Sequence, residues 1–568
     1  MPATPTRISH TALPAILLAA LVAGCTASSQ VIEQTVPLPA PPPSAVTGPR
    51  PISEAEIDGY LRFLSSDLLE GRGPAGRGGA LTIAYLESQL RSFGLEPAGE
   101  NGSFLQPVTV ETVTADRENI RAQVTGRATA TLSQPDEVVL WAGSSTARSG
   151  ASGELVFVGY GVTAPEERWD DFKGLDVAGK ILVVLVNDPP ATDAEPNLFG
   201  GRAMTYYGRW TYKFEEAERR GAVGMLIVHT TEQAGYPWHT VVGSWDKEQL
   251  MLARPADAPA PLGFRGWITA RSAASLFTQA GLDLRALVDS AASRDFRPVE
   301  TGIHLDVHFT NSLRRMESAN VVGMVRGSDP VLRDQYVVLT SHWDHLGIGP
   351  AVNGDSIYNG ASDNASGVSD LLAIARLSAE SPAPRRSLLF TFVTVEESGL
   401  LGSQWFAENP TVPLGSMVAN LNVDGGNIIG PTTDFTALGE DKSSLGPMFH
   451  EYVRPLGYTV MPDARPEAGL FYRSDHFSFA KAGIPALFFG AGTTVRDRPA
   501  GWGQQQIDDF TANRYHQPAD EYRPDFDLRG AVELSNVVFG FARLVADADR
   551  APTWNPDAEF QRRVEVHP

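Results

Sequence analysis

Five carboxylates and two histidines recur in the second half of the chain, each just after an apolar run or just before an expected helix. His342 closes "YVVLTSH" and Asp344 stands two residues on; Asp363 lies in "GASDNASG"; Glu396 and Glu397 end "LLFTFVTVEE"; Asp424 follows "VANLNV"; a later histidine sits in "RYHQPADEY". Nitrogen and oxygen donors in this mix suit zinc, and cobalt or manganese would also fit. Two divalent ions bring four positive charges, and Asp363, Asp424 and one of the paired glutamates return three negative ones, which leaves room for one bridging hydroxide. The expected arrangement gives one ion His342, Asp363 and Asp424 and the other Asp363, Glu397 and His516, with Asp363 shared and the ions about 3.5–4 Å apart. Adjacent residues at a strand end point in opposite directions, so Glu396 and Glu397 divide the work. A carboxylate spent on an ion does not also carry a proton, which leaves Glu396 as general base and acid, worth roughly 10²–10⁴ in rate. Asp344 is expected to accept the proton of the second ring nitrogen of His342 and so fix its tautomer.

These groups need a scaffold that brings them to one rim. From residue 318 onward, continuous apolar strands alternate with amphipathic helices. That pattern predicts an α/β fold with a mixed, largely parallel central sheet covered by helices on both faces. In such sheets ligands gather beyond the carboxyl ends of the strands, where the polar residues fall. A helix is expected over 368–380, with Leu371, Leu372, Ile374 and Ala375 as its apolar string; taken alone, Asp363 just before it reads as an ordinary N-cap. Further upstream, "ISEAEIDGYLRFLSSDLLEGR" predicts a helix with Ser53 and Glu56 as a capping box and Ile57, Leu61, Leu64 and Leu68 on one face. A second helix over 80–93 stops at Gly94. Between 130 and 300 the texture changes to short β-rich runs, "GELVFVGYGV" and "GKILVVLV", separated by turn residues.

Six ordered motifs, "SHWDHLG", "NGASDNASGV", "VEESGLLGS", "NVDG", "YRSDHFSFAKAGIPA" and "YHQPAD", resemble the dizinc aminopeptidases related to glutamate carboxypeptidase. The resemblance spans about 51–120 and 305–545. It implies metal-dependent release of amino-terminal residues from peptides, with ligands at His342, Asp363, Glu397, Asp424 and His516, Glu396 as the base and Asp344 as a metal-orienting acid. It also implies a cis peptide bond between Asp363 and Asn364. Trp343, Ser362 and Asn364 depart from the family's usual residues without removing a ligand. The β-rich stretch resembles a protease-associated domain, through Gly179, Lys180 and Ile181 and through Gly221, Ala222 and Gly224. Beyond the ligands, His345, Asp475 and His476 are expected to support the site or line its floor, Tyr472 to donate to an oxyanion or merely pack, and Phe471, Phe477 and Trp502 to offer apolar walls. A carboxypeptidase, a one-zinc glutaminyl cyclase on the same scaffold, and a non-catalytic binding lipoprotein remain as alternatives.

The organisation reads as a leader over 1–24, a Pro-rich tether over 25–50, a first peptidase segment over 51–129, the insert over 130–300, a second peptidase segment over 301–550 and a frayed tail over 551–568. The apolar run ending in "LVAGC" resembles a lipoprotein signal with lipidation at Cys25. The expected address is the cell envelope, held by a lipid anchor alone, with the outer membrane favoured and the chain facing the periplasm or exported. Cys25 is the one cysteine, which excludes disulfides and thiol chemistry from the mature chain. Net charge is −21 with no basic stripe, so peptides rather than nucleic acid are the expected partners; oligomeric state is not legible.

Overall fold

The computed structural model describes residues 48–254, 258–556 and 558–560. The expected leader, Cys25 and the tether up to residue 47 lie outside the described residues, as do 557 and 561–568 of the tail.

Eight strands build the sheet that carries the motifs: β1 (Leu105–Ala115), β2 (Val299–Val325), β3 (Tyr336–His342), β4 (Ser387–Val393), β5 (Met417–Val423), β6 (Asp434–Leu438), β7 (Thr459–Met461) and β8 (Ala486–Ala491). Their order is β1-β2-β4-β3-β5-β8-β6-β7. The central four, β4, β3, β5 and β8, run parallel, and β1, β2 and β6 meet their inner neighbours antiparallel, so the sheet is mixed as expected. Every residue of β3, β4 and β5 is buried, the signature of a sheet covered on both faces.

The two faces separate along each strand. Val337 and Leu339 of β3 pack with α1 (Glu54–Leu64), α2 (Arg77–Phe93) and α3 (Ser366–Glu380), whereas Val338 packs on the other face. There it joins Phe406 of α4 (Leu401–Glu408) and Phe479 of α5 (His476–Lys481). Two further helices, α6 (Trp502–Asn513) and α7 (Arg529–Asp547), follow; Leu534, Val538 and Phe541 of α7 close the first face.

At the amino end only half of the expected capping box forms. Ser53 Oγ accepts the Glu56 N–H at 3.3 Å, but the Glu56 carboxylate turns to Arg376, accepting from Nε at 2.5 Å and Nη2 at 2.9 Å. Ile57, Leu61 and Leu64 are buried as expected; Leu68 is not, being 67% exposed, because α1 ends at Leu64 and the chain turns into a 3-10 segment, Asp67–Arg72. Helix α2 stops at Gly94 in the left-handed region, φ 83°.

The β-rich stretch forms a second sheet from Arg121–Thr125, Val138–Ala142, Arg148–Phe157, Ile181–Leu185, Gly224–His229 and Phe264–Thr269. Strand β2 belongs to both sheets: His304–His308 pairs with the second sheet, and Asn311–Val321 pairs with β1. The boundary expected at 300/301 therefore falls inside one 27-residue strand. Ile303, Leu305, Val307 and Phe309 are buried and alternate with exposed residues, the pattern of a half-covered strand.

The described part of the tail is packed, not frayed. Phe560 is 8% exposed among Tyr206, Phe471, Tyr472 and Phe477, and Trp554 Nε1 donates to the Gly483 carbonyl at 3.0 Å. Aromatic burial on this scale offsets the ordering cost that a polar tail would not.

Candidate metal centre

Three strand ends and two loops converge at one rim. His342 is the last residue of β3, Glu396 and Glu397 follow β4, and Asp424 is the first residue past β5. Asp363 lies in the turn Ala361–Ala365 ahead of α3, and its peptide bond to Asn364 is cis, as the resemblance implied. The N-cap of α3 is Ala365, so the bland capping role for Asp363 does not hold. His516 follows α6 in the left-handed region, φ 57°.

Asp363 stands between the two imidazoles. Its Oδ1 lies 3.3 Å from His342 Nε2 and its Oδ2 lies 3.3 Å from His516 Nε2. His342 Nε2 is also 3.1 Å from Asp424 Oδ1, and His516 Nε2 is 3.0 Å from Glu397 Oε2. The structure thus brings all five expected ligand groups together as two overlapping sets that share Asp363. Donor atoms of His342, Glu396 and Asp424 also fall within 4.8 Å of one another, as do those of His342, Asp363 and Glu397. Glu396 Oε2 is the more distant group, 4.0 Å from His342 Nε2, whose nearer neighbours are Asp424 and Asp363.

The donor set fits a divalent cation. Four carboxylates and two imidazoles face one another in a nearly closed space, and without added positive charge the carboxylates repel. Burial pushes the Glu396 carboxyl well above the ordinary glutamate range; His342 opposes this, and Asp424 and Glu397 add to it. Glu397 goes the other way: burial raises it, but His345 and His516 outweigh that and leave it at about 2. Neighbouring glutamates are therefore shifted in opposite directions by their surroundings, which is how two adjacent acids come to differ in role.

Asp344 does not act as the sequence suggests. The His342 Nδ1 contact is to the Asp344 backbone carbonyl at 3.1 Å, with the carboxylate 4.0 Å away. Asp344 Oδ1 instead accepts the Glu396 N–H at 3.1 Å, and Oδ2 is buried without a partner. Spacing fixed the residue but not which of its oxygens faces the ring. Burial pushes its carboxyl up to about 7.

His345 Nδ1 bonds Glu397 and so supports an expected ligand. His476 is wedged between the rings of Phe471 and Phe488, at 4.7 and 5.3 Å, and burial pushes it down to about 3. Asp475 is fully buried, with neither carboxylate oxygen paired. Tyr472 OH donates to Glu559 at 2.5 Å, which makes it a packing residue tied to the tail, not an oxyanion donor.

A cleft of about 790 Å³ opens from Asp363, Glu396 and Asp424. Trp502 lines it as expected, whereas Phe471 and Phe477 sit in the aromatic cluster around Phe560. Ile428, Phe488, Ile507 and Phe510 are among its other apolar walls.

Residues 320–541 match the family model described as Peptidase family M28. The matched segment contains every expected ligand and Glu396, and the resemblance drawn from the six motifs holds across it. A "probable leucine aminopeptidase 2" from Aspergillus oryzae is 25% identical over 277 residues, covering 46% of this chain and 52% of its own length. A "probable glutamate carboxypeptidase" from Arabidopsis thaliana is 28% identical over 495 residues, covering 77% of this chain and 62% of its own. This chain thus spans about half to three-fifths of the length of these curated relatives. Among solved structures, an aminopeptidase from Aneurinibacillus sp. strain AM-1 aligns with a TM-score of 0.46 at 19% identity, over 87% of this chain and 93% of that one.

Within the matched segment, sequence reasoning gave no role to the residues that hold the expected ligands. Asp520 accepts the backbone N–H groups of Ser362 and Asp363 at 3.0 Å each. Ser474 Oγ donates to Asp424 Oδ2 at 2.6 Å. Asn364 accepts the Gly425 N–H at 2.7 Å and donates to the His342 carbonyl at 3.2 Å, joining three ligand loops. All three lie inside the quoted motifs, and that was their available signal. Arg72, outside the matched segment, had none: it is 1% exposed and donates to the carbonyls of Leu64, Trp343, Asn359 and Gly360.

Proposed function

We propose that this chain is a metal-dependent exopeptidase that releases amino-terminal residues from peptides, with two zinc ions held by His342, Asp363, Glu397, Asp424 and His516. The carrying observation is that the two oxygens of Asp363 each stand 3.3 Å from a different imidazole, the placement a shared carboxylate needs. Divalent cations bound there supply Lewis acidity and lower the pKa of a water. Glu396, raised by burial and reaching the cleft, takes a proton from the attacking water and returns it to the departing amine. Asp344 holds the Glu396 backbone, and His345 and Ser474 hold Glu397 and Asp424, so the reacting groups keep their orientation. The names of the relatives above, an aminopeptidase and a glutamate carboxypeptidase, support the exopeptidase class.

The β-rich stretch, with its "GKI" before Ile181–Leu185 and its helix Trp210–Arg219 leading into Gly224–His229, is part of the same proposal as a protease-associated insert. So is the envelope address, which rests on "LVAGC" and lipidation of Cys25.

The test is hydrolysis of amino-acid nitroanilides before and after chelation, with the metal content counted. Zinc-dependent cleavage with two ions per chain upholds the proposal. One ion per chain with ring closure of amino-terminal glutamine favours a cyclase, and cleavage that persists with no metal bound overturns the mechanism.

A further inference from the structure

Ser474, whose hydroxyl donates to Asp424 Oδ2 at 2.6 Å, stands in a turn that is gripped from behind. It is buried, and its Oγ accepts from Asn422 Nδ2 at 2.8 Å, so the hydroxyl hydrogen is left for Asp424. Two buried aromatic residues flank it, Tyr472 two positions before and Phe477 three positions after, and the Phe477 N–H closes the turn on the Ser474 carbonyl at 3.0 Å. Both are held by one pair of neighbours from the far end of the chain, Glu559 and Phe560. Tyr472 OH donates to Glu559 Oε1 at 2.5 Å, and Phe560 lies against the Phe477 ring at 5.8 Å and the Tyr472 ring at 6.4 Å.

The same pair reaches the β-rich half. Glu559 Oε2 accepts the Tyr206 N–H at 3.0 Å, so the two oxygens of one carboxylate are divided between Tyr472, on the way to the metal centre, and Tyr206, just ahead of the helix Trp210–Arg219. The Tyr206 ring packs on Phe477 at 5.1 Å and on Phe560 at 5.9 Å. Lys442 Nζ lies 3.2 Å from Glu559 Oε1 and supplies the opposite charge. The stretch ahead of Glu559 is pinned as well: the Ser444 N–H donates to the Thr553 carbonyl and the Asn555 N–H to the Lys442 carbonyl, each at 2.9 Å. An acid anchored on three sides cannot drift without releasing the Tyr472 hydroxyl, and hydrogen bonds to a charged acceptor are the stronger kind. Aromatic anchors on both sides of Ser474 leave its main chain little room, and the orientation of a ligating carboxylate follows from the group that holds its second oxygen.

We infer that Glu559 is a positioning residue for the metal centre: through Tyr472, and with Phe560 against Phe477, it fixes the turn that places the Ser474 hydroxyl on Asp424. The inference rests on the reading of Asp424 as a metal ligand, and it gives the packed tail and the Tyr206 side of the β-rich half a part in holding that ligand.

Zinc affinity, read on the full chain by competition with a chelator of known affinity, tests this in a double-mutant cycle. Ser474→Ala is expected to weaken zinc binding by roughly 10- to 100-fold, the usual loss when a ligand's outer partner goes. Glu559→Ala is expected to weaken it by at least about threefold, and Glu559→Gln, which keeps an acceptor oxygen, to recover part of that loss. Because the effect passes through Ser474, the double variant Ser474→Ala/Glu559→Ala should bind zinc as Ser474→Ala does. A Glu559→Ala chain that binds zinc as the natural one does, or a double variant in which the two losses multiply, overturns the positioning role. If the thermal midpoint shows that Glu559→Ala does not fold, Tyr472→Phe takes its place in the cycle, since it loses the hydroxyl and keeps the ring. No zinc binding by the natural chain overturns the metal reading alone. In that event amide hydrogen exchange decides: Glu559→Ala should speed exchange at the Phe477 N–H by roughly tenfold or more while α7 stays unchanged, and an unchanged rate at Phe477 overturns the inference.

Discussion

Asp520 holds the backbone of Asp363, its Oδ2 accepting the Asp363 N–H at 3.0 Å while its own backbone carbonyl accepts from Ala361 at 2.9 Å. The residue that fixes the proposed shared ligand thus follows His516 by four positions in sequence. Replacing it by alanine removes the clamp without touching a donor atom. Asp520→Ala should weaken zinc binding by roughly 10- to 100-fold, read by competition with a chelator of known affinity. Unchanged affinity would show that the turn around Asp363 holds itself.

Glu396 should be separable from the ligands. Glu396→Gln is expected to keep the metal content of the natural chain and to lose roughly 10²–10⁴ in kcat. Metal analysis alongside nitroanilide turnover checks both halves, and a variant that loses metal would place Glu396 among the ligands instead.

Metal should also stabilise the fold. Ligand atoms from strand ends and loops far apart in sequence meet at one point, so an ion that binds the folded chain alone raises its stability by mass action, about 2.7 kcal/mol at a hundredfold excess over its dissociation constant. The thermal midpoint should fall on chelation and return with added zinc. Asp363→Ala should show no such response.

Away from the site, Glu56 and Arg376 form a buried pair, 8% and 2% exposed, joining α1 to α3. Removing the acid leaves the guanidinium with Glu380 and the Arg50 carbonyl only. Glu56→Ala should cost about 3 kcal/mol, measured by urea unfolding. A change below about 0.5 kcal/mol, the size expected of a surface site, would mean that Glu380 suffices.

Asp370 gives a pH dependence. It is fully buried in α3, Oδ1 accepts from Ser535 at 2.9 Å and Oδ2 has no partner, so burial raises its carboxyl well above 3.8. Between the unfolded value and the raised folded one, the folded chain binds more protons, and stability therefore falls as pH rises. Asp370→Asn should remove that slope. Urea unfolding from about pH 5 to 8 should show the natural chain losing ground to the variant as pH increases.

The sheet and its rim were legible because apolar strands and the residues that follow them obey a rule that needs no side-chain detail. His342, Glu397 and Asp424 each come within a few residues of a fully buried strand, and that spacing survives folding intact. Arg72 was not legible, since its burial depends on four carbonyls contributed from positions as far away as Gly360. The choice between the two roles of Tyr472 was not legible for a similar reason: its partner, Glu559, lies in the stretch expected to fray. Long-range partners of this kind leave no local pattern. Leu68 failed differently, through helical periodicity extended past the true end of α1.

Strand β2 makes the two sheets a single splinted body. Pairing runs through Thr310 with one sheet and resumes at Asn311 with the other, so no unpaired residue of β2 separates the two ladders. The cleft itself is lined by residues between Ser362 and Asp527, where α6 carries Trp502 at one end and delivers His516 just past the other. Any peptide that presses on that helix also presses on one of the two imidazoles proposed to hold metal.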